Sequence, residues 1–283
     1  MYPLKYVSDS GVTIQLGRGT PYRVTKVEGL NGVETKIETS QGFEQVGETI
    51  DTLTTGGNTI KVNGKINPFT SDLGNAMTDA ILPMSTGRLY IDDKYWIDVA
   101  VKNAPAIAQA LRSATYSFRL YAPYPYWKSV QKNTYQLGGS IGGFRFPVNY
   151  STPHHFGQRS SALFLNCINN GNVKTDFILT LYAKATLSNI TITNAQTQEY
   201  IGINTEMQGG DYVYMYRENN QLRCVRERNN VETDIFSTVD EDTDLFFMNV
   251  GDNVLRAEAE TGGNNLVVQV DFYNTKSGVF YGV

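Results

Sequence analysis

The sequence predicts a mostly β chain with one helix that ends in an antiparallel β-sandwich, and three observations carry this. First, the last run alternates: Leu266, Val268, Val270 and Phe272 share one face, and Gln269 and Asp271 the other, with Val267 the one exception. Period 2 is the mark of a half-buried strand. Second, Asn/Gly turn signals recur at short intervals through the second half, at Asn169-Asn170-Gly171, Gly209-Gly210, Asn219-Asn220, Asn229-Asn230 and Gly251-Asp252-Asn253. Short strands so spaced suit a sandwich. Third, 18 tyrosines and 26 glycines favour strands and tight turns over helices.

The closing segment is read as a hairpin: Leu255, Ala257 and Ala259 alternate with Arg256, Glu258 and Glu260, and Thr261–Asn265 turns the chain into the final strand. Upstream, Phe177, Leu179, Leu181 and Ala183 form one strand face, and Ile190, Ile192, Tyr212, Tyr214, Tyr216 and Leu222–Val225 mark others. In the first half, Tyr2–Leu30 reads as short strands ending in a turn at Glu28–Gly32, and Thr59–Ile66 alternates cleanly. Between them Val33–Thr49 is polar, with Glu34, Lys36, Glu38 and Glu44 around isolated Ile37, Phe43 and Val46. It buries little by itself and reads either as a floppy loop or as an extended arm packing on another subunit.

Ser71–Leu82 is the best helix: Ser71 or Asp72 can cap, Leu73, Met77, Ile81 and Leu82 share a face, and Pro83 ends it. Leu89–Val101 and Tyr116–Tyr121 read as strands, whereas Asn103–Ala114 is ambiguous between helix and strand. At 283 residues about two domains are expected. The Gly/Asn-rich stretch suggests residues 1–137 and 151–283 as domains, with 138–150 as the linker.

Chemistry is sparse. A net charge of −4 disfavours nucleic acid as main partner, and Arg223, Arg226 and Arg228 are interleaved with Glu218 and Glu227. Cys167 and Cys224 sit in apolar contexts and read as buried thiols rather than a disulfide. No stretch is apolar enough for a membrane span, and no signal peptide is expected. His154-His155 are the only histidines and lack further ligands at metal-site spacing. Asp240, Asp242 and Asp244 open like a calcium loop, but Leu245 stands where glycine is needed and Gly251 where an acid is needed. No enzyme and no cofactor are expected. Sugar stacking on tyrosine makes a host-surface glycan-binding module the alternative function, with Tyr212 and Tyr214 as its contacts.

The order of several short pieces is specific where each alone is weak. They are Val27–Gly32, Thr59–Ile66, Ala80-Ile81-Leu82-Pro83 with Gly87 and Leu89, and Ala122-Pro123-Tyr124-Pro125-Tyr126-Trp127. In the second half they are Phe144-Arg145-Phe146-Pro147, Phe156-Gly157, Ile168–Asn172, and Phe246-Phe247 with Gly251-Asp252-Asn253. In this order the chain resembles the distal tail protein family of siphophages of Gram-positive hosts. The resemblance implies an N-terminal ring-forming β domain and a C-terminal galectin-like sandwich. It also implies a homohexameric hub, in one ring or two back to back, joining the tail tube protein to the baseplate, tail-associated and receptor-binding proteins. Such a hub sits at the virion tail tip and is assembled in the host cytoplasm. On that reading Val33–Thr49 is an arm embracing the neighbouring subunit, with Glu34, Lys36, Ile37, Glu38 and Phe43 as interface candidates. Asn103–Ala114 tilts toward extended structure, and Tyr126 and Trp127 become partner-contact candidates.

Overall fold

A computed structural model of the chain describes residues 3–138, 164–218, 221–244 and 246–280. His154-His155, Phe144–Pro147, Phe156-Gly157, Asn219-Asn220 and nearly all of the 138–150 stretch lie outside the described residues. The chain divides into two compact units, Met1–Gln131 with Thr275–Val283, and Lys132–Asn274. The division falls inside a strand, upstream of the expected linker.

The first unit contains β1 (Leu4–Ser8), β2 (Thr13–Leu16), β3 (Tyr22–Glu28), β4 (Thr35–Ser40), β5 (Thr49–Thr55) and β6 (Asn58–Ile66). Then come α1 (Ser71–Ala80), β7 (Thr86–Ile91), β8 (Tyr95–Gln109), β9 (Ala114–Ala122) and the start of β10 (Trp127–Leu137). All pairings are antiparallel and run β2-β1-β7-β8-β9-β6-β3, with β4 and β5 paired apart as a separate ribbon. Strand β8 joins two halves of this sheet. Its first half pairs with β7 over Tyr95–Ala100 and its second with β9 over Ala100–Gln109.

Between those halves the register slips twice, around Asn103, and Pro105 sits in the second slip. Proline cannot donate to a ladder, so an irregular position is where a strand tolerates it. The ambiguous Asn103–Ala114 stretch is therefore strand as far as Gln109, followed by a turn that the Ala110 N–H closes on the Ser113 carbonyl at 2.8 Å. A helix would have left the β9 edge unpaired.

The two halves face a common core of Leu4, Tyr6, Ile60, Val62, Leu89, Phe118 and their neighbours, which Met77 and Ala80 of α1 and Ile81 just after it complete. The helix is capped by Thr70, whose hydroxyl accepts the Leu73 N–H at 3.3 Å, one or two residues before the expected Ser71 or Asp72. It ends at Ala80, so Leu82 falls past the last helical turn and leaves the apolar face to stand half exposed. On β6, Gly64 lies opposite Tyr116, and a Cβ there would meet the tyrosine ring at 2.3 Å and the Arg23 carbonyl at 2.4 Å. A glycine is what lets that ring fold over the sheet.

The indole of Trp127 is fully buried and donates to the Leu30 carbonyl at 3.1 Å, and the same oxygen accepts the Val279 N–H at 3.1 Å. One carbonyl thus ties the segment after β3, the start of β10 and the returning C-terminal residues into one core.

The second unit is the expected sandwich. Its strands are β11 (Phe164–Asn169), β12 (Phe177–Ala183), β13 (Leu187–Asn194), β14 (Tyr200–Met207), β15 (Tyr212–Glu218), β16 (Gln221–Arg228), β17 (Val231–Asp234), β18 (Gly251–Thr261) and β19 (Leu266–Lys276). One sheet runs β11-β18-β13-β14. The other runs β17-β16-β15-β12-β19, with the later half of β10 beside β19. Leu179, Leu181, Val268, Val270 and Phe272 of the larger sheet meet Ile190, Ile192, Ile203 and Leu255 of the smaller.

The closing hairpin is corrected by this arrangement. Strands β18 and β19 do not pair: β18 lies between β11 and β13, whereas β19 runs along β12 with Val268 opposite Leu181. The turn between them, a 3₁₀ segment at Gly263–Asn265, carries the chain from one sheet to the other. Alternation reports that a strand has one buried face and says nothing of which strand lies beside it. Gly262 allows the crossing, with φ +68 and no room for a Cβ against the Thr186 carbonyl at 2.4 Å. The anomaly at Val267 has a counterpart, since β19 also buries Val267 and Asp271 on its reverse face. The Asp271 carboxylate is met there by the Thr134 hydroxyl and by Lys132 at 3.2 Å.

Gly251-Asp252-Asn253, expected as a tight turn, instead opens β18, with Gly251 opposite Asn169 and Asn253 opposite Cys167. The bend lies just before it at Val250, where Gly251 has φ +88 and buried Asn253 binds both the N–H and the carbonyl of Asn249 at 2.8 Å.

Replacing Trp127 by alanine removes a fully buried ring from the core of the first unit. The expected loss is about 3–5 kcal/mol, read by urea denaturation with Trp96 fluorescence as the probe; a loss below about 1 kcal/mol contradicts the anchoring role.

Candidate interaction site

The ribbon formed by β4 and β5 stands out because none of its residues is buried. Its register shows why it nevertheless has two different faces. Ile37 lies opposite Leu53 and, after a bulge, Thr39 lies opposite Ile50. Ile37 and Thr39 are two apart on one strand, so their side chains share a face, and the extra residue at Asp51 brings Ile50 onto that face as well. Lys36 and Glu38 occupy the reverse face and pair with each other at 2.6 Å, facing Thr54 and Thr52. The bulge thus yields an apolar strip of Ile37, Ile50 and Leu53, each more than half exposed.

The tip extends the strip. Phe43 and Val46 are essentially fully exposed, at 96% and 101%, on a loop with positive φ at Glu44 and Gly47. The loop is shaped from within, because the Gln45 side chain accepts the Gly42 N–H at 2.9 Å and donates to Thr49 at 2.9 Å. At the root, Gly56-Gly57 passes under Tyr121, whose hydroxyl would lie 2.3 Å from a Cβ at Gly57. The Tyr126 hydroxyl donates to Thr55 at 3.3 Å, and Asn58 donates to the Gly29 carbonyl at 2.6 Å.

Among the interface candidates, Ile37 and Phe43 thus lie on the apolar strip and tip, Lys36 and Glu38 on the polar reverse, and Glu34 just before β4. The strip also contains Ile50 and Leu53, which sequence reasoning missed because the candidate segment stopped at Thr49. Their signal was present in Ile50-Asp-Thr-Leu53, where the apolar spacing is odd and a bulge is needed to bring both onto one face. Of the two partner-contact candidates, Tyr126 supports the arm root. Trp127 is enclosed in the core and presents no surface.

Tyr212 and Tyr214 lie on the outer face of β15. Tyr212 has Tyr182 on one side, centroids 4.8 Å apart, and Tyr214 on the other at 6.0 Å with rings parallel to 4°. The Tyr214 hydroxyl donates to Glu227 at 3.1 Å. These rings pack on each other in the manner of a sheet face.

The acidic run and the basic run can both be placed. Asp240, Asp242 and Asp244 form a turn whose backbone covers the edge of β14: the Asp240 N–H donates to the Gly202 carbonyl at 3.0 Å and the Asp244 N–H to that of Tyr200 at 2.8 Å. Among the described residues no group of three or more His, Cys, Asp and Glu side chains is placed to hold a metal ion. Arg228 forks onto Asp211, which is 2% exposed, at 2.5 Å. Arg223 reaches Glu218 at 3.4 Å, so this basic run is offset by acids as its interleaving implies. No helix in the described residues is long and apolar enough to cross a membrane.

Comparison with known proteins places this architecture. Residues 170–274 match the family model described as siphovirus-type tail component, C-terminal domain. No curated protein matches the chain by sequence. Among solved structures, the crystal structure of the SPP1 Dit protein is similar at a TM-score of 0.66 and 11% identity, covering 98% of this chain and 98% of that one. That protein is described as a paradigm of the hub adsorption apparatus in phages infecting Gram-positive bacteria. The phage p2 baseplate in its activated conformation with Sr matches at a TM-score of 0.48 and 11% identity, over 96% of this chain and 98% of that one. The first likeness establishes a common fold along nearly the whole chain.

Burial pushes the Cys167 and Cys224 thiols up to about 12 from a usual value of 9.0. The folded values lie above the unfolded ones, so this contribution to stability is whole below about pH 9 and is lost as pH rises toward about 12. Neither thiol is expected to react with Ellman's reagent at pH 8 in the folded protein, and both are expected to react in urea. Rapid labelling of the folded chain contradicts this.

Proposed function

We propose that this chain, whose residues 170–274 match the siphovirus-type tail component family model, is a structural hub of a phage tail tip. In this reading six copies close into a ring through the first unit, and the sandwich carries the attachment of neighbouring baseplate components. Above the ring sits the tail tube protein; below it sit tail-associated and receptor-binding proteins. The chain acts by holding these proteins in register at the virion tail tip, without catalysis, after assembly in the host cytoplasm.

The observation that carries the proposal is the arm. A two-stranded ribbon is a single layer and cannot cover its own apolar face, and an isolated ribbon is at best marginally stable in water. Ile37, Ile50, Leu53, Phe43 and Val46 stand exposed on such a ribbon, and none of them belongs to either core. Full burial of each such side chain is worth roughly 1.5–3 kcal/mol, so a covering surface from a second copy stabilises the pair appreciably. The contact is head-to-tail, since an arm on one copy meets a different surface on the next. Contacts of that kind generate a ring when the rotation closes.

Light scattering with negative-stain imaging at micromolar concentration tests the reading. Six-copy rings are expected for the unaltered chain. The double variant Ile37→Ser/Leu53→Ser is expected to stay monomeric while its folding stability changes by no more than about 0.5 kcal/mol, because both positions are exposed in one copy. A chain that remains monomeric even beside its tail partners defeats the proposal.

A further inference from the structure

The outer face of the β3-β6-β9 sheet is basic. The register sets Arg23 beside Lys65, and Glu28 beside Lys61 and Arg119, with Lys26 two residues before Glu28 on the same strand. The alternating residues Val24, Ile60, Val62, Gly64, Ile66, Phe118 and Leu120 point to the core, so all these charged groups lie on the other side. Lys102 joins them from β8: its Nζ is 3.3 Å from the Thr59 hydroxyl and 5.8 Å from the centre of the Tyr121 ring.

Glu28 is the one acid in these rows. It pairs with Lys26 at 2.6 Å, and its carboxyl is held below the usual glutamate range, first by that hydrogen bond and then by the fields of Lys26, Lys61 and Arg119. Among the described residues no carboxylate is paired with Arg23, Lys61, Lys65 or Arg119. Adjacent strands lie about 4.8 Å apart, so these cations repel one another across a sheet exposed to solvent.

The opposite charge is found in the same chain. The arm carries Glu34, Glu38, Glu44, Glu48 and Asp51 against the single Lys36. Among the described residues only Glu38 of these acids is paired with a cation, which is Lys36 itself. The chain therefore presents an acidic ribbon and a basic sheet as two distinct, complementary patches, which is what a head-to-tail contact requires.

We infer that the basic outer face of β3-β6-β9 is the surface that receives the acidic arm of the next copy, so that assembly is steered and held by charge as well as by the arm's apolar strip. This rests on the proposed ring and names the receiving surface within it. A polyanion such as nucleic acid competes for the same chemistry. The arm is favoured because its carboxylates are part of every copy and are brought to the face at the local concentration of the assembly.

Two variants test the inference: Lys61→Glu/Arg119→Glu on the face, where Lys61 is half-buried and Arg119 exposed, and Glu38→Lys/Glu44→Lys at exposed positions of the arm. Screening shortens the range of these charges from about 10 Å at 0.1 M salt to about 3 Å at 1 M. The unaltered chain is therefore expected to assemble more weakly as salt rises. Each variant alone is expected to need at least about tenfold more protein to assemble at 0.1 M salt. An equimolar mixture is expected to recover assembly, because the unaltered acidic arm of the first fits the unaltered face of the second, and the reversed arm of the second fits the reversed face of the first. A mixture that stays dispersed overturns the inference. So does a face variant that assembles normally, and if that variant has lost binding to short duplex DNA, the face is a polyanion site instead. Rings indifferent to all four charges sink this inference and leave the hub standing, whereas an unaltered chain that is monomeric at every salt concentration sinks the hub itself.

Discussion

A sheet needs a second layer wherever it is apolar, and this constraint accounts for most of the molecule. The first unit satisfies it by folding one long antiparallel sequence of strands back on itself through β8 and sealing the gap with α1. The second satisfies it with two separate sheets. The ribbon of β4 and β5 leaves the requirement open, since Ile37, Ile50 and Leu53 share a face with no layer over it and no residue of the ribbon is buried. In the proposed ring the layer over this face comes from a second copy.

The way the arm is held follows from the core beneath it. Tyr121 and Tyr126 come from the end of β9 and the kink after it, and they reach Gly57 and Thr55 at the arm root. Trp127 immediately follows and is locked against the Leu30 carbonyl, just past the strand that leads into the arm. An anchored ring beside two root tyrosines gives the ribbon a firm base while leaving its apolar strip and tip exposed. The returning C-terminal segment closes on the same carbonyl through Val279, so the base of the arm also depends on residues far away in sequence.

Net charge conceals the other organising feature. At −4 over 283 residues the chain looks nearly neutral and offers no reason to look for a strongly charged surface. The acids and bases are nevertheless sorted in space. Five carboxylates fall on the arm, while Arg23, Lys61, Lys65 and Arg119 gather from three strands onto one sheet face. In the linear order those cations are spread over roughly a hundred residues, each beside uncharged neighbours, and only the β3-β6-β9 register brings them into rows.

What the sequence determined by itself was local: which residues alternate, where turns need glycine or asparagine, where one helix starts and stops, and which segment buries too little to stand alone. Those features depend on neighbours within a few residues, so Thr59–Ile66 and the helix starting at Ser71 could be read from the letters, although the helix stops at Ala80 rather than at Leu82 and Gly251 opens a strand rather than forming a turn. The sandwich as a class followed from their repetition, whereas the polar composition of Val33–Thr49 left a floppy loop and an arm both open and only the family resemblance implied the arm. Tertiary structure decided everything that depends on which strand lies beside which. It sent β18 and β19 to different sheets although a turn joins them, made Asn103–Gln109 a strand because β9 offered an edge, turned Trp127 inward, and placed Ile50 on the arm's apolar face through a one-residue bulge. Side-chain periodicity specifies a face, whereas a pairing partner is chosen by long-range burial and hydrogen bonding, and that choice is not written in any short stretch of the chain.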